Sequence, residues 1–285
     1  MFSWNVMIAT NSNAREPAAA VASPATDLLV HREDGIVTIT LNRPARKNSV
    51  TSVGWAALRD ALRTVDPRSD RVVVLTGAGD TFCAGADLDG NDDSRRDLDN
   101  MRIVNQVCLE LHRVQVPTIA AVDGAAVGAG MNLALTCDFV VATDRARLSE
   151  IFVKRALSVD FGGSWLLPRL VGMVKAKELV MLGDFVSGTQ AHAMGLVHAV
   201  VAPADLAGTV ASLAARLASG PQLALMASKA LLNDSLEVSL ERALDDEGRA
   251  QALNIVSDDA REAAAAFLAK RDPDFWPTTR TDGQD

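Results

Sequence analysis

The chain has 285 residues, of which 48% are hydrophobic and 22% charged, as is typical of a globular protein with one large domain or two medium ones. Its formal net charge of −8 argues against nucleic acid as a partner, and no segment has the roughly 20 apolar residues of a membrane span. The three cysteines and four histidines have no metal-ligand spacing, and the few cysteines favour a cytoplasmic location.

The first predicted elements follow an N-terminal extension. Residues 1–26 are rich in Ala, Asn, Pro and Ser and lack the pattern of a signal peptide, so we expect them to be disordered. Residues 35–41 alternate β-branched apolar and polar side chains, which predicts a half-buried strand. A predicted helix over 53–65 then precedes an apolar run at 71–76, which predicts a strand buried on both faces.

Two further apolar runs, at 118–122 and 139–142, also predict buried strands, with a helix over 130–137 between them. Buried strands alternating with helices imply an α/β fold with a mainly parallel sheet. The character changes to helical after residue 170. Apolar spacing there predicts helices over 174–182, 206–218, 222–232 and 236–255, and one that begins after a Ser257 cap and ends before Pro273.

Several short motifs suggest other chemistry, and each has a competing interpretation. Residues 77–79 form a G-x-G turn like the start of a dinucleotide site, but Phe82 stands where the third glycine should be. The acidic stretch 87–99 suggests calcium but lacks EF-hand spacing, which favours a solvated loop. Ser164 has no surrounding G-x-S-x-G elbow, so we interpret it as the start of a helix.

Two glycine-rich loops are more informative. Residues 82–88 (FCAGADL) follow one buried strand, and residues 122–131 (VDGAAVGAGM) follow another and lead into a helix. Small residues after parallel strands let the backbone approach a ligand and leave main-chain N–H groups free to point at an oxygen. Two neighbouring loops of this kind could form an oxyanion hole for one carbonyl oxygen. The alternative is that the glycines only allow close packing of strand and helix.

The whole folded length resembles the crotonase (enoyl-CoA hydratase/isomerase) superfamily. The matching segments are 41–44 (LNRP) with Asn48, 82–88, 120–130 (AAVDGAAVGAG), 160–172 (DFGGSWLLPRLVG) and 267–271 (FLAKR). The resemblance implies a crotonase-like (ClpP/crotonase) α/β fold, with a ββα-repeat core over 27–200 and a helical trimerisation region over 201–285. It also implies an acyl-CoA thioester substrate, no cofactor beyond the CoA of that substrate, and a homotrimer or a hexamer built as a dimer of trimers.

The resemblance also implies roles for individual residues. The backbone N–H groups of Ala86 and Ala129 match the oxyanion-hole donors, which stabilise an enolate. Phe267 and Lys270 match positions that reach the CoA of a neighbouring subunit. The expected substrate-binding residues are Arg46, Lys47, Ala84, Asp87, Leu88, Asn132, Phe152, Trp165, Phe267 and Lys270. For Arg46 and Lys47, expected near the CoA phosphates, the alternative is a solvated surface.

The carboxyl groups bear on which reaction is catalysed. Hydration needs two of them, and the positions that hold them in the hydratase pattern are Asn132 and Phe152 here. Asp160 lies in a segment that resembles the isomerase branch, including enzymes of phenylacetate catabolism, and one carboxylate suffices for a double-bond shift. Apolar neighbours would raise the pKa of Asp160, and the N-terminus of the following helix would lower it. The alternative interpretation is that Asp160 only caps that helix.

Glu150 is the candidate second carboxylate. On a strand it would share a face with Phe152, although pairing with Lys154 or Arg155 at the rim is the expected arrangement. The leading hypothesis is an enoyl-CoA isomerase with Asp160 as its base. The alternatives are an enoyl-CoA hydratase with an incomplete carboxylate pair, a non-catalytic acyl-CoA-binding protein and, more remotely, an NAD-dependent dehydrogenase.

Overall fold

The structure is a computed structural model that describes residues 27–87 and 98–276. The predicted N-terminal extension and residues 88–97 of the acidic stretch, among them the expected substrate contact Leu88, lie outside the described residues. The strands are β1 (Leu28–Glu33), β2 (Ile36–Leu41), β3 (Val72–Gly77), β4 (Thr118–Val122), β5 (Ala125–Val127), β6 (Phe139–Thr143), β7 (Arg147–Ser149), β8 (Val186–Ser187) and β9 (Ala199–Val201). The helices are α1 (Ser52–Arg63), α2 (Leu98–Arg113), α3 (Ala129–Leu135), α4 (Gly163–Leu182), α5 (Gly188–Ala193), α6 (Leu206–Ala218), α7 (Gln222–Asp234), α8 (Leu240–Ile255) and α9 (Asp258–Ala269).

The main sheet has the strand order β1-β2-β3-β4-β6-β9, and it confirms the predicted parallel interior. Only the β1–β2 pair is antiparallel in this sheet. Alternate residues of the central strands enter two separate cores: Val73 packs into the larger one, and Val72 and Val74 into a smaller one against α6. Because both faces are covered, the strand sequence is apolar without alternation.

A smaller sheet, ordered β5-β7-β8, begins directly after β4 and carries the second glycine-rich loop. The chain turns between β4 and β5 at Gly124, whose φ is +57°. A Cβ atom built there would lie 2.1 Å from the carbonyl oxygen of Asp80, so only glycine fits this turn. The turn thereby brings β5 alongside the loop that follows β3.

Helix α2 was not predicted, because its first residues continue the acidic stretch. Its buried residues Val104, Val107 and Leu111 nevertheless have helical spacing and belong to the main core. Two predicted boundaries also differ. Helix α4 begins at Gly163 rather than at residue 174, and non-helical dihedral angles at Gly172 interrupt it. Helix α8 begins after the Ser239 cap rather than at residue 236.

The last helix, α9, has the predicted ends. The Ser257 side chain accepts a hydrogen bond from the backbone N–H of Ala260, and Lys270 ends the helix in a left-handed conformation. Apolar side chains on α8 and α9 remain in solvent in the isolated chain, among them Leu253 and Phe267. No described helix combines the length and apolar character needed to cross a membrane.

Candidate active site

The two glycine-rich loops lie side by side. Cys83 pairs with Ala126 in a parallel bridge, and the backbone N–H of Val127 donates to the carbonyl oxygen of Cys83 at 3.0 Å. On its other side the first loop pairs through Ala86 with Val50. The first loop is therefore held between two extended segments, and its backbone is fixed over the start of α3.

The N–H groups of Ala86 and Ala129 are free of acceptors in the part of the chain that the structure describes. Ala129 is the first residue of α3, where an N–H has no partner within the helix. The loops approach closely at Gly85, which has a φ of +92° and where an added Cβ would lie 3.8 Å from the nitrogen of Ala129. Two unpaired donors therefore lie on adjacent loops, the arrangement expected from the sequence.

Polar side chains anchor the first loop. The Nδ2 of Asn48 donates to the carbonyl oxygens of Ala78 and Thr81 at 2.9 and 2.6 Å. The Asp87 carboxylate, expected to contact substrate, accepts from Arg43 at 2.7 Å and from Arg46 at 3.4 Å. Asp87 therefore serves at least to tie the loop to the segment before α1.

Other expected CoA contacts flank this loop. The backbone N–H of Ala84 donates to the carbonyl oxygen of Lys47 at 3.0 Å. The Lys47 and Arg46 side chains are exposed at the surface beside it. Phe267 is 83% exposed on α9, and Lys270 is exposed at the end of that helix.

The Asn132 side chain joins the two candidate carboxylate residues. Its Nδ2 donates to Oε2 of Glu150 at 3.2 Å and to the backbone carbonyl oxygen of Asp160 at 3.0 Å. The predicted pairing of Glu150 with Lys154 or Arg155 is wrong. Strand β7 ends before Glu150, whose side chain is fully buried, while Lys154 pairs with an aspartate 30 residues further along the chain.

Burial changes the ionisation of both carboxyl groups. Burial, aided by the negative charge of Asp160 and opposed by the hydrogen bond from Asn132, raises the pKa of Glu150 to about 8. Burial also raises the pKa of Asp160 to about 6. Gly162, not Asp160, occupies the cap position of α4, so the structure does not support Asp160 as a plain helix cap. Near pH 7 Asp160 is mostly a carboxylate and Glu150 mostly a neutral acid.

Three oxygens of this cluster lack hydrogen-bond partners within the described residues: Oδ1 of Asn132, Oε1 of Glu150 and Oδ1 of Asp160. Buried polar atoms are rarely left unpaired in folded proteins. Asn132 lies on the helix that begins with the unpaired donor Ala129. Orphaned acceptors and an unpaired backbone donor on one helix are typical of a site that binds a ligand and exchanges protons with it.

Comparison with known proteins shows the family to which the chain belongs. A model of the family "Enoyl-CoA hydratase/isomerase" matches residues 31–277. The 1,2-epoxyphenylacetyl-CoA isomerase of Escherichia coli (strain K12) is 41% identical over 256 residues, which cover 87% of this chain and 97% of that protein. The chain is a member of the enoyl-CoA hydratase/isomerase family.

Other members of this family carry different names. The crotonyl-CoA hydratase of Syntrophomonas wolfei is 33% identical over 253 residues, which cover 87% of this chain and 97% of that protein. The crystal structure of an enoyl-CoA hydratase from Mycobacterium smegmatis matches with a TM-score of 0.82 at 36% identity, covering 88% of this chain and 99% of that one. The crotonase fold is thus confirmed, and the chain is an enzyme of this family.

Several features of this family member were not evident from the sequence. A Cβ atom added at Gly163 would lie 2.5 Å from Nδ2 of Asn132, so glycine leaves room for the bridging amide. Phe152 is buried against the second loop, where its ring lies 3.4 Å from a Cβ built on Gly128. Trp165 packs edge-to-face against His112, with ring centroids 5.4 Å apart, and lines an outer cavity. These contacts join segments that are distant in the sequence, so no local sequence pattern predicts them.

Proposed function

We propose that this enzyme shifts a double bond in an enoyl-CoA thioester, with Asp160 as the base. The proposal rests on the burial and the raised pKa of the Asp160 carboxyl group. This group has a buried, unpartnered oxygen and a pKa raised by burial to about 6. A carboxylate of this kind can take a proton near neutral pH and return it. The relative at 41% identity is named as the isomerase of another CoA thioester, 1,2-epoxyphenylacetyl-CoA, and this supports isomerisation as the reaction class.

In the proposed reaction the N–H groups of Ala86 and Ala129 donate to the thioester oxygen. Asp160 removes a proton from the α- or γ-carbon, and the electron pair moves through the carbonyl to form an enolate. Each such donor typically lowers the barrier by about 3–4 kcal/mol. The protonated Asp160 then returns the proton at the other end of the three-carbon unit, so the base is regenerated and no further reactant is needed.

For the CoA moiety we propose the surface beside the first loop. Arg46 and Lys47 are exposed there and would supply positive charge to the phosphates despite the acidic net charge. Phe267 and Lys270 would complete the CoA site of a neighbouring subunit in a trimer or a dimer of trimers. Their exposure in the isolated chain supports this arrangement, because an apolar side chain such as Phe267 is usually covered.

Hydration of a 2-enoyl-CoA is the second candidate, and the position of Glu150 favours it. Its inward side chain gives the cluster a second carboxyl group, held by Asn132 beside Asp160. A neutral acid at Glu150 and a carboxylate at the nearby Asp160 could hold a water molecule and transfer its protons. Relatives named as hydratases at 33% and 37% identity also support this candidate.

A panel of 2-enoyl-CoA and 3-enoyl-CoA substrates with identified products tests the proposal. The expected result is interconversion of the two double-bond positions without uptake of water. Formation of a 3-hydroxyacyl-CoA as the main product would instead establish the hydratase. Tight binding of CoA thioesters with no turnover of any substrate would contradict both and establish an acyl-CoA-binding protein.

A further inference from the structure

A cavity of about 780 Å³ lies between α2, the start of α4 and α7. Small-molecule sites commonly occupy about 300–1,000 Å³. Apolar side chains form much of its wall, among them Leu109, Trp165, Leu166 and Met226, and its remaining wall includes the charged residues Arg113, Lys229, Asp234 and Glu237. A second cavity, of about 460 Å³, shares Trp165 and Leu166 and continues the space along α4. The volume and the apolar part of the wall suit a hydrocarbon chain.

The inner end of this cavity adjoins the acid–base cluster. It is formed by Cys108, Thr136 and Gly162. Thr136 lies one turn beyond Asn132 on the same helical face, and its Oγ1 donates to the carbonyl oxygen of Asn132 at 2.8 Å. Gly162 follows Asp160 by two positions. A single layer of side chains therefore separates the cavity from the cluster.

Cys108 closes this layer. Its Sγ lies 3.9 Å from Oγ1 of Thr136 and donates to the carbonyl oxygen of Phe161 at 3.5 Å. A Cβ atom built on Gly162 would lie 3.0 Å from the same sulfur, so the contact is tight. Burial raises the pKa of the Cys108 thiol, and the charge of Asp160 adds to this effect. The barrier is thus a small, neutral and partly apolar group.

We propose that Cys108 is a specificity-determining residue that ends the acyl pocket. The cavity behind it takes the far end of longer straight-chain acyl groups once that side chain is made smaller. The inference rests on the proposed function, because it assumes that the reacting carbons lie beside Asp160. An acyl chain that runs from Asp160 between α2 and α3 meets Cys108 before it can enter the cavity.

The test compares Cys108→Ala with the wild-type enzyme on straight-chain enoyl-CoA substrates from butenoyl to hexadecenoyl. Chains long enough to reach the cavity should gain in kcat/KM by about fourfold for each methylene that enters it, until the cavity is filled. Values for the shortest substrates should stay within about twofold, since these do not reach Cys108. Cys108→Ser keeps the size of the side chain and should leave the chain-length profile unchanged.

A second substitution tests whether the acyl chain lies in this cavity. Met226→Trp fills the cavity from α7, so in the Cys108→Ala background it should cancel the gain for long chains and spare short ones. An unchanged chain-length profile in a folded Cys108→Ala variant would overturn the inference. So would a gain that survives Met226→Trp, because the chain would then lie elsewhere.

Binding separates this inference from the proposed reaction. Dissociation constants of saturated acyl-CoA thioesters need no turnover, and in Cys108→Ala they should fall for long chains by the same fourfold per methylene. If the wild-type enzyme forms only hydration products, the proposed reaction fails while this binding series still decides the role of Cys108. Long-chain dissociation constants equal to those of the wild type would contradict that role.

Discussion

Replacement of Glu150 by Gln should change how the stability of the protein depends on pH. Glu150 is fully buried, and its pKa in the folded state is about 8, against 4.5 for the ordinary side chain. As the pH rises through that window, the unfolded chain releases the Glu150 proton while the folded chain keeps it. The free energy of unfolding must therefore fall with rising pH.

The magnitude follows from that pKa difference. Each pH unit within the window removes about 1.4 kcal/mol from the free energy of unfolding, and the whole window about 5 kcal/mol as an upper bound. The contribution is fully present below the unfolded pKa and is lost as the pH passes the folded one. Glu150→Gln imitates the neutral acid, so the variant should match the wild type near pH 4.5 and be several kcal/mol more stable near pH 8.

Urea unfolding at a fixed protein concentration over this pH range measures the effect. Asp160 contributes in the same direction in both proteins, so their difference reports Glu150 together with its interaction with Asp160. Glu178→Gln on the exposed face of α4 is the matched control and should leave the pH dependence as it is in the wild type. Parallel stability curves for the wild type and Glu150→Gln would refute the argument that Glu150 is held as a neutral acid.

Three further outcomes are expected. Gly163→Ala should lower activity at least about tenfold, because the added Cβ would displace Asn132. Urea unfolding should show a free energy of unfolding lower by about 1–3 kcal/mol. The control Gly208→Ala adds a Cβ that meets no atom within 4 Å, so it should be neutral or stabilising. Ala129→Pro should abolish turnover with an unchanged circular dichroism spectrum, since proline is tolerated at a first helical position; unchanged turnover would place the thioester oxygen elsewhere. Light scattering should give a trimer or hexamer, and a fully active monomer would contradict the proposed role of Phe267 and Lys270.

The central strands of the main sheet could be predicted because they are buried on both faces. Strands of this kind have continuous apolar sequences, as at 71–76 and 118–122, and the structure has a strand at each of these positions. The loops that carry Ala86 and Ala129 were also predicted, since small residues directly after such strands mark close backbone approach. Both features depend on residues that are adjacent in the sequence, so a local pattern is enough to indicate them.

The surroundings of the carboxyl groups could not be predicted in the same way. Glu150 turns inward because β7 ends one residue before it, and its partner Asn132 lies 18 positions earlier in the sequence. Helix α2, which contains Cys108, begins in an acidic stretch. For this reason the helical spacing of its apolar residues was not recognised from the sequence. These features depend on packing between distant segments, which short-range patterns do not record.

Asp160 is the proposed base. The most direct test of this role is exchange of the substrate α-proton with deuterated solvent, followed by NMR in the wild type, Asp160→Asn and Glu150→Gln. Asp160→Asn should lose exchange and isomerisation together by about 10²–10⁴-fold, the usual contribution of a positioned acid–base group, while it still binds CoA thioesters. Glu150→Gln should retain both activities. Full exchange in Asp160→Asn together with its loss in Glu150→Gln would contradict the assignment.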